Sequence, residues 1–151
     1  MTEIKGDLIR HLRRDARKSL SEVSRETGIP VTTLHDTLRR HEQRGIIKKH
    51  TSILDYHKLG YFARAHIVVR TEPHDRAKVF EFLRNHESMN NLIEVNNGFD
   101  YLMEGIFRNR AEIRLLTEHL RKEFKLQEIV VYPHIGTVCE EEFMTEIDNK
   151  S

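Results

Sequence analysis

The stretch from Leu20 to Ile47, "LSEVSRETGIPVTTLHDTLRRHEQRGII", constrains the fold of this chain more than any other. Ser19 followed three residues later by Glu22 is the pattern of a capping box, which predicts a helix that begins at Leu20 and ends near Thr27. Gly28 then fits a tight turn because glycine reaches positive φ without a steric penalty. The stretch predicts two short helices joined by that turn.

The second of these helices is predicted to run from about Val31 to Arg44. Pro30 fits its start, where a missing N–H is tolerated, and Gly45 fits its end. Its buried stripe is expected to be Ile29, Leu34 and Leu38. The residues 46–50 are predicted to form a short β wing. We interpret the whole as a winged helix-turn-helix whose second helix enters the DNA major groove; the alternative is an ordinary helical hairpin with charged outer faces.

The polar side of the second helix and the wing that follows it carry two kinds of candidate DNA contact. Small and polar side chains that could read base edges are Thr32, Thr33, His35 and Asp36. Cations that could contact phosphates are Arg39, Arg40, Lys48 and Lys49. Asp36 could accept a hydrogen bond from cytosine or pair with Arg40 one turn on, and both interpretations stay open.

Charge is distributed unevenly along the 151 residues. Residues 1–55 hold 12 Lys and Arg against 8 Asp and Glu, whereas residues 56–151 hold 13 against 16. This predicts a basic module that faces an anionic partner, although chance scatter on a solvated surface would look similar. The single Cys139 excludes an internal disulfide, and no apolar run is long enough for a membrane span, so a cytoplasmic protein is expected.

No cofactor and no catalytic residue are predicted. The ten histidines follow no metal-binding spacing, so no metal site is predicted either. The first helix is expected from Ile4 to Arg14, with Ile4, Leu8 and Leu12 on one face. A linker strand over residues 52–59 should follow the wing.

From Tyr61 onward the pattern changes to alternating strands and helices. Strands are predicted around residues 63–70, 92–95, 101–107 and 129–138, and helices over 75–85 and 111–125. This βαββαβ order predicts a ferredoxin-like sandwich, so the fold class is α+β. Pro133 implies an edge position for the last strand. The face without helices should present Val68, Leu102 and Val131 and should pair with a second copy.

Together these segments resemble the Lrp/AsnC (leucine-responsive, feast/famine) family of transcriptional regulators over about Ile4–Glu140. The resemblance rests on "DLIRHLRRDAR", on the Leu20–Asp55 segment with the following "KLG", and on "VNNGFDYLMEGIF". It implies four regions: a helix-turn-helix domain (1–50), a hinge or linker strand (51–60), a ferredoxin-like dimerisation and effector-sensing domain (61–140) and an acidic tail (141–151). It also implies double-stranded DNA as partner and a homodimer that can assemble into tetramers or octamers.

The resemblance further implies an amino-acid effector near Asn97, Gly98, Phe99 and Asp100, whereas a plain hairpin turn would use the same residues. The family commonly has Arg where Thr37 stands and Leu where His41 stands, so an unusual sequence preference is expected. Two alternatives have other functions. One is an enzyme of the same architecture, similar to haem-pathway decarboxylases, and the other is an oligomerisation module that binds no DNA.

Overall fold

The computed structural model describes residues 3–146, with side chains from residue 7 onward. The described residues up to Ile53 and from Val138 onward form one compact unit, and Leu54–Thr137 form another. We refer to them as the helical unit and the sheet unit. Within the described residues, no helix has the length and apolar character needed to cross a membrane.

The helical unit contains α1 (Glu3–Arg14), α2 (Leu20–Thr27) and α3 (Val31–Gln43). The predicted capping box is confirmed: the Ser19 hydroxyl accepts from the Glu22 amide, and the Glu22 carboxylate accepts from the Ser19 amide at 2.8 Å. Gly28 has φ 72° and ends α2, as the turn requires. The helix-turn-helix therefore forms from signals that are local in sequence.

The core of the helical unit is small. Leu8, Val23 and Leu34 are fully buried, and the partly buried residues packed on them are Leu12, Leu20, Ile29 and Leu38. Three polar side chains are buried in the same unit: His11, Thr37 and His41. Ile4, which was expected on the inner face of α1, lies outside the described side chains.

Two predicted strands do not form. Residues 46–50 have no strand, and the amides of Ile46 and Ile47 donate instead to the His41 carbonyl. The linker strand is absent too: residues 56–60 form a turn in which the Gly60 amide donates to His57. A strand needs a partner to satisfy its backbone groups, and all pairings of the described sheet lie within residues 63–133.

The sheet unit confirms the predicted βαββαβ order. Its elements are β1 (Ala63–Thr71), α4 (Arg76–Arg84), β2 (Met89–Glu94), β3 (Tyr101–Phe107), α5 (Arg110–Glu123) and β4 (Leu126–Pro133). The four strands are antiparallel in the order β2-β3-β1-β4. Pro133 ends β4 at a sheet edge, which is where a residue without an N–H is tolerated.

Both helices pack on the same face of this sheet. Their apolar side chains join those of β1 and β3 in one buried cluster: Ala65, Ile67, Val69, Val79, Leu83, Tyr101, Met103, Phe107, Ile113, Leu116 and Leu120. The opposite face, which we call the open face, carries Val68 between Leu102 and Val130. The prediction that Val131 lies there was wrong, because Val131 pairs with Ile67 and packs against the buried cluster.

Candidate DNA interface and candidate effector loop

Helix α3 presents its predicted base-reading residues away from the core of the helical unit. Thr32, His35 and Asp36 are exposed and Thr33 is half-buried, whereas Leu34 is fully buried. Arg39 and Arg40 are exposed further along the helix, and the Arg40 guanidinium lies 3.4 Å from the Thr37 hydroxyl. All six candidates on α3 are thus brought to one polar surface.

Thr37 and His41 do not belong to that surface. They are only 2% and 4% exposed, and the Thr37 hydroxyl donates to the Thr33 carbonyl at 2.8 Å. The unusual sequence preference expected from these two positions stays a prediction, and the structure places both side chains on the inner face. They lie three and seven residues after Leu34, so helical geometry places them on the inner face.

The remaining phosphate candidates lie at a separate cavity of the helical unit. Lys48 and Lys49 are exposed, and together with Arg13 and Arg14 they line a cavity of about 570 Å³. Its apolar lining includes Ile9, Leu12, Ile46, Ile47 and Ile53. The sequence predicted Lys48 and Lys49 on a wing after α3, and the structure places them at a cavity shared with the end of α1.

Arg13 has partners in the structure that no pattern in the sequence indicated. Its guanidinium donates to the Glu141 carboxylate at 2.7 Å, to the Glu141 carbonyl at 2.9 Å and to the Phe143 carbonyl at 3.0 Å. The segment expected as an acidic tail is therefore part of the helical unit as far as residue 146. Residues 147–151 of that tail lie outside the described residues.

The candidate effector loop joins β2 to β3. Asn97 and Gly98 are exposed, and Phe99 and Asp100 are half-buried. Gly98 has φ 78°, and its carbonyl accepts a hydrogen bond from the Arg70 guanidinium, which also lies over the Phe99 ring. The loop is thus held against β1.

Asp100 anchors the end of this loop. Its carboxylate accepts from the Thr71 amide at 2.7 Å and from the Thr71 hydroxyl at 3.0 Å, and the Arg76 guanidinium lies 3.6 Å away. Arg76 also pairs with Glu94, and its pKa is raised, first through its hydrogen bond with Tyr101. Both signs of charge therefore border the loop, on side chains that the sequence did not associate with it.

Among residues 3–146, no group of three or more His, Cys, Asp or Glu side chains is arranged to hold a metal ion. Cys139 is exposed and unpaired with any other cysteine.

Comparisons with known proteins bear on both units. The sequence profile of the family described as "Winged helix-turn-helix DNA-binding" matches residues 1–48. The HTH-type transcriptional regulator FL11 of Pyrococcus horikoshii is 28% identical over 113 residues, which cover 75% of each chain. An AsnC family transcriptional regulator from Agrobacterium tumefaciens has a TM-score of 0.80 at 15% identity, covering 93% of this chain and 94% of its own. The chain thus shares sequence with HTH-type transcriptional regulators and shares its fold with an AsnC family regulator.

A second solved structure extends the likeness. The Neisseria meningitidis regulator NMB0573, in complex with L-Met, has a TM-score of 0.83 at 15% identity and covers 93% of both chains. The winged helix-turn-helix profile and the regulators with similar sequences support the predicted function, a DNA-binding transcriptional regulator.

Proposed function

We propose that this chain is an Lrp/AsnC regulator that reads DNA sequence with the exposed face of α3. The observation that carries the proposal is that Thr32, His35 and Asp36 are exposed on the side of α3 opposite the buried Leu34. Thr33 would join them at base edges. Arg39 and Arg40 would contact phosphates at the other end of the helix. Base contacts near the start of a recognition helix and phosphate contacts from longer cations are the usual division of roles.

Genome-wide selection of bound fragments tests this proposal and supplies the operator. On the selected operator, His35→Ala should relax preference at one base position, because only base contacts carry sequence information. Arg39→Ala should weaken binding to all fragments and lower the salt slope by about one. Arg121→Ala is the matched control, since Arg121 is an exposed arginine of the sheet unit. Binding that is equal in all three variants would refute the assignment of α3.

We propose further that a second copy of the chain covers the open face. Its central row consists of Ile93, Leu102, Val68 and Val130, and Ile93 is 53% exposed. Four aligned apolar side chains on an uncovered sheet face favour association. A twofold axis would then present two α3 helices to the two halves of a palindromic site.

The dimer is tested by adding charge to this row. Ile93→Glu should shift the protein toward monomers in analytical ultracentrifugation and weaken binding to palindromic sites. Leu115→Glu is the control, because Leu115 is 60% exposed but lies on α5, in the helix layer. Assemblies unchanged by Ile93→Glu would place the interface elsewhere. The same runs would report whether dimers assemble further into tetramers or octamers.

For the loop 97–100 we propose an amino-acid effector. Arg70 and Arg76 could hold a carboxylate, and Glu94 or Asp100 an ammonium group, while Phe99 offers an apolar surface. The Neisseria relative is crystallised with L-Met, which favours this class of ligand. The competing interpretation, a structural hairpin, is supported by the hydrogen bonds from Thr71 to the Asp100 carboxylate.

A thermal-shift panel of the twenty amino acids separates these interpretations. An effector should raise the melting temperature of the wild type but not of Phe99→Ala, whose backbone bonds remain. If no amino acid raises the melting temperature, either alone or with DNA present, the loop is a structural hairpin. If an effector binds, we propose that the 51–60 hinge transmits its effect to the helix-turn-helix domain (1–50) from the sensing domain (61–140).

A further inference from the structure

The cationic side of the helical unit is covered by an acidic segment of the same chain. Arg13, Arg14, Lys48 and Lys49 line one cavity, and Glu141 lines it too. We propose that this basic surface binds the DNA backbone and that the segment Val138–Glu146 competes with DNA for it. The proposal rests on the DNA-binding function and adds an intramolecular competitor to it.

The contact is built around the fork of one guanidinium. All three nitrogens of Arg13 donate to the segment: Nη1 to the Glu141 carboxylate, Nη2 to the Glu141 carbonyl and Nε to the Phe143 carbonyl. Planar guanidinium groups bind phosphates through the same fork geometry. Arg13 therefore cannot serve the segment and a phosphate at once.

The backbone angles of the segment indicate that docking imposes its conformation. Glu141 and Met144 have φ of 57° and 62°, and they are the non-glycine residues with positive φ in the described chain. Side chains disfavour this region, so local preference does not explain it. The Thr145 hydroxyl donates to the Glu142 carbonyl at 2.8 Å and closes the turn between them. Contact with Arg13 holds a conformation that the free segment would leave.

Charge gives the segment the character of a phosphate mimic. Its nine residues, "VCEEEFMTE", contain four glutamates. Two of its large apolar side chains stay exposed, with Val138 99% and Phe143 79% accessible, and Met144 is half-buried. Docking therefore depends on polar contacts at a surface, where ion pairs are weak and screened by salt. Such a contact can yield to DNA, whose phosphates offer a denser line of negative charge.

The test compares two full-length variants with the same change in charge. One carries Glu140→Gln, Glu141→Gln and Glu142→Gln. The control carries Glu87→Gln, Glu118→Gln and Glu123→Gln, which are exposed glutamates of the sheet unit. On the fragment that wild type binds best, the first variant should bind about tenfold tighter at low salt, and the control less than about twofold. The difference should vanish at high salt.

Two further measurements separate the docked contact from a general charge effect. Arg13→Lys keeps the cation but loses the three-way fork to the segment, so adding the first triple change to Arg13→Lys should tighten binding less than adding it to wild type. A synthetic peptide of residues 138–146 should displace DNA from the first variant, and a peptide with its four glutamates replaced by Gln should not. Equal affinities of both triple variants, or a peptide without effect, would overturn the proposal. Failure of every variant and of wild type to bind any fragment would overturn the DNA-binding function itself.

Discussion

The two units of this regulator are stabilised in different ways. The sheet unit buries eleven side chains in one cluster between a four-stranded sheet and two helices. The helical unit fully buries Leu8, Val23 and Leu34 and adds buried polar groups at His11, Thr37 and His41. Small cores leave little margin against unfolding, so the helical unit should be the first to open. The part that reads DNA is therefore also the part most easily lost.

The largest expected effect comes from truncating one leucine in each core. Leu34→Ala and Leu83→Ala each remove a fully buried side chain, and each should cost about 2–5 kcal/mol of unfolding free energy. In the helical unit that loss should exceed the available stability, whereas the sheet unit should stay folded at 25 °C. Leu34→Ala should then lose DNA binding and keep the dimer that we propose for the sheet unit.

Tyrosine fluorescence assigns each transition to a unit. All four tyrosines lie in the sheet unit, at Tyr56, Tyr61, Tyr101 and Tyr132. In Leu34→Ala, circular dichroism at 25 °C should show a reduced helical signal while tyrosine emission keeps its native value. If both signals change together in both variants, the two units unfold as one, and the expectation that the helical unit is the less stable of the two is wrong.

Two glycines test steric crowding against backbone strain. A Cβ on Gly105 would lie 2.4 Å from the Phe107 ring, which is only 1% exposed and has little room to move. Gly105→Ala should cost the sheet unit about 3 kcal/mol through overpacking. A Cβ on Gly28 would meet open space, so Gly28→Ala should cost the helical unit only about 1–2 kcal/mol, from its positive φ.

Urea denaturation of the two glycine variants, followed by the same two signals, measures both values. A larger loss of stability in Gly28→Ala than in Gly105→Ala would mean that backbone strain in the turn costs more than crowding in the sheet core.

The sequence located the elements that depend on neighbours a few residues away. Ser19, Glu22 and Gly28 act within one turn of each other, and the structure confirms the helix boundaries they predict. The buried stripe predicted for α3 did not include Thr37 and His41, although their spacing from Leu34 places both on the inner face. Helical geometry, and not polarity, decides which side chains point inward.

Features that depend on distant partners could not be predicted from local patterns. The phase of β4 is fixed by pairing with β1, which puts Val130 and not Val131 on the open face. The link from Arg13 to Glu141 spans 128 positions and has no pattern in the sequence. Which α3 side chains contact bases is equally non-local, since the missing partner there is DNA, and that part of the site stays a prediction.

Mild acid should destabilise the helical unit through His11. Burial in the helical core lowers the pKa of His11, and the charge of Lys18 adds to this while Glu26 opposes it. Folding therefore favours neutral His11, and this stability is present above about pH 6.5 and is lost as pH falls from there toward the folded pKa. His11→Gln should flatten the dependence of helical-unit stability on pH between about 6.5 and 5.

Glu104 supplies the matched control in the sheet unit. Burial would raise its pKa, but hydrogen bonds from Asn90, Asn91 and Arg64 outweigh burial and lower it. Its contribution is present above the ordinary glutamate value of about 4.3 and is lost as pH falls below it. Glu104→Gln should thus leave the slope between about pH 6.5 and 5 unchanged. Urea midpoints across this range check both variants, and a slope retained in His11→Gln would assign the effect to another group.

The smallest expected effects come from helix caps. Ser19→Ala removes an acceptor for one amide of α2, and Asn109→Ala removes an acceptor for two amides of α5, at 2.9 and 3.2 Å. Each should cost about 1 kcal/mol. The same loss of free energy moves the melting temperature further when the unfolding entropy is smaller, and entropy scales with the number of residues that unfold. Ser19→Ala should therefore lower the melting temperature of the helical unit by more than Asn109→Ala lowers that of the sheet unit. Scanning calorimetry of the two variants measures both shifts, and a larger shift for Asn109→Ala would mean that the size of the unit does not set the order.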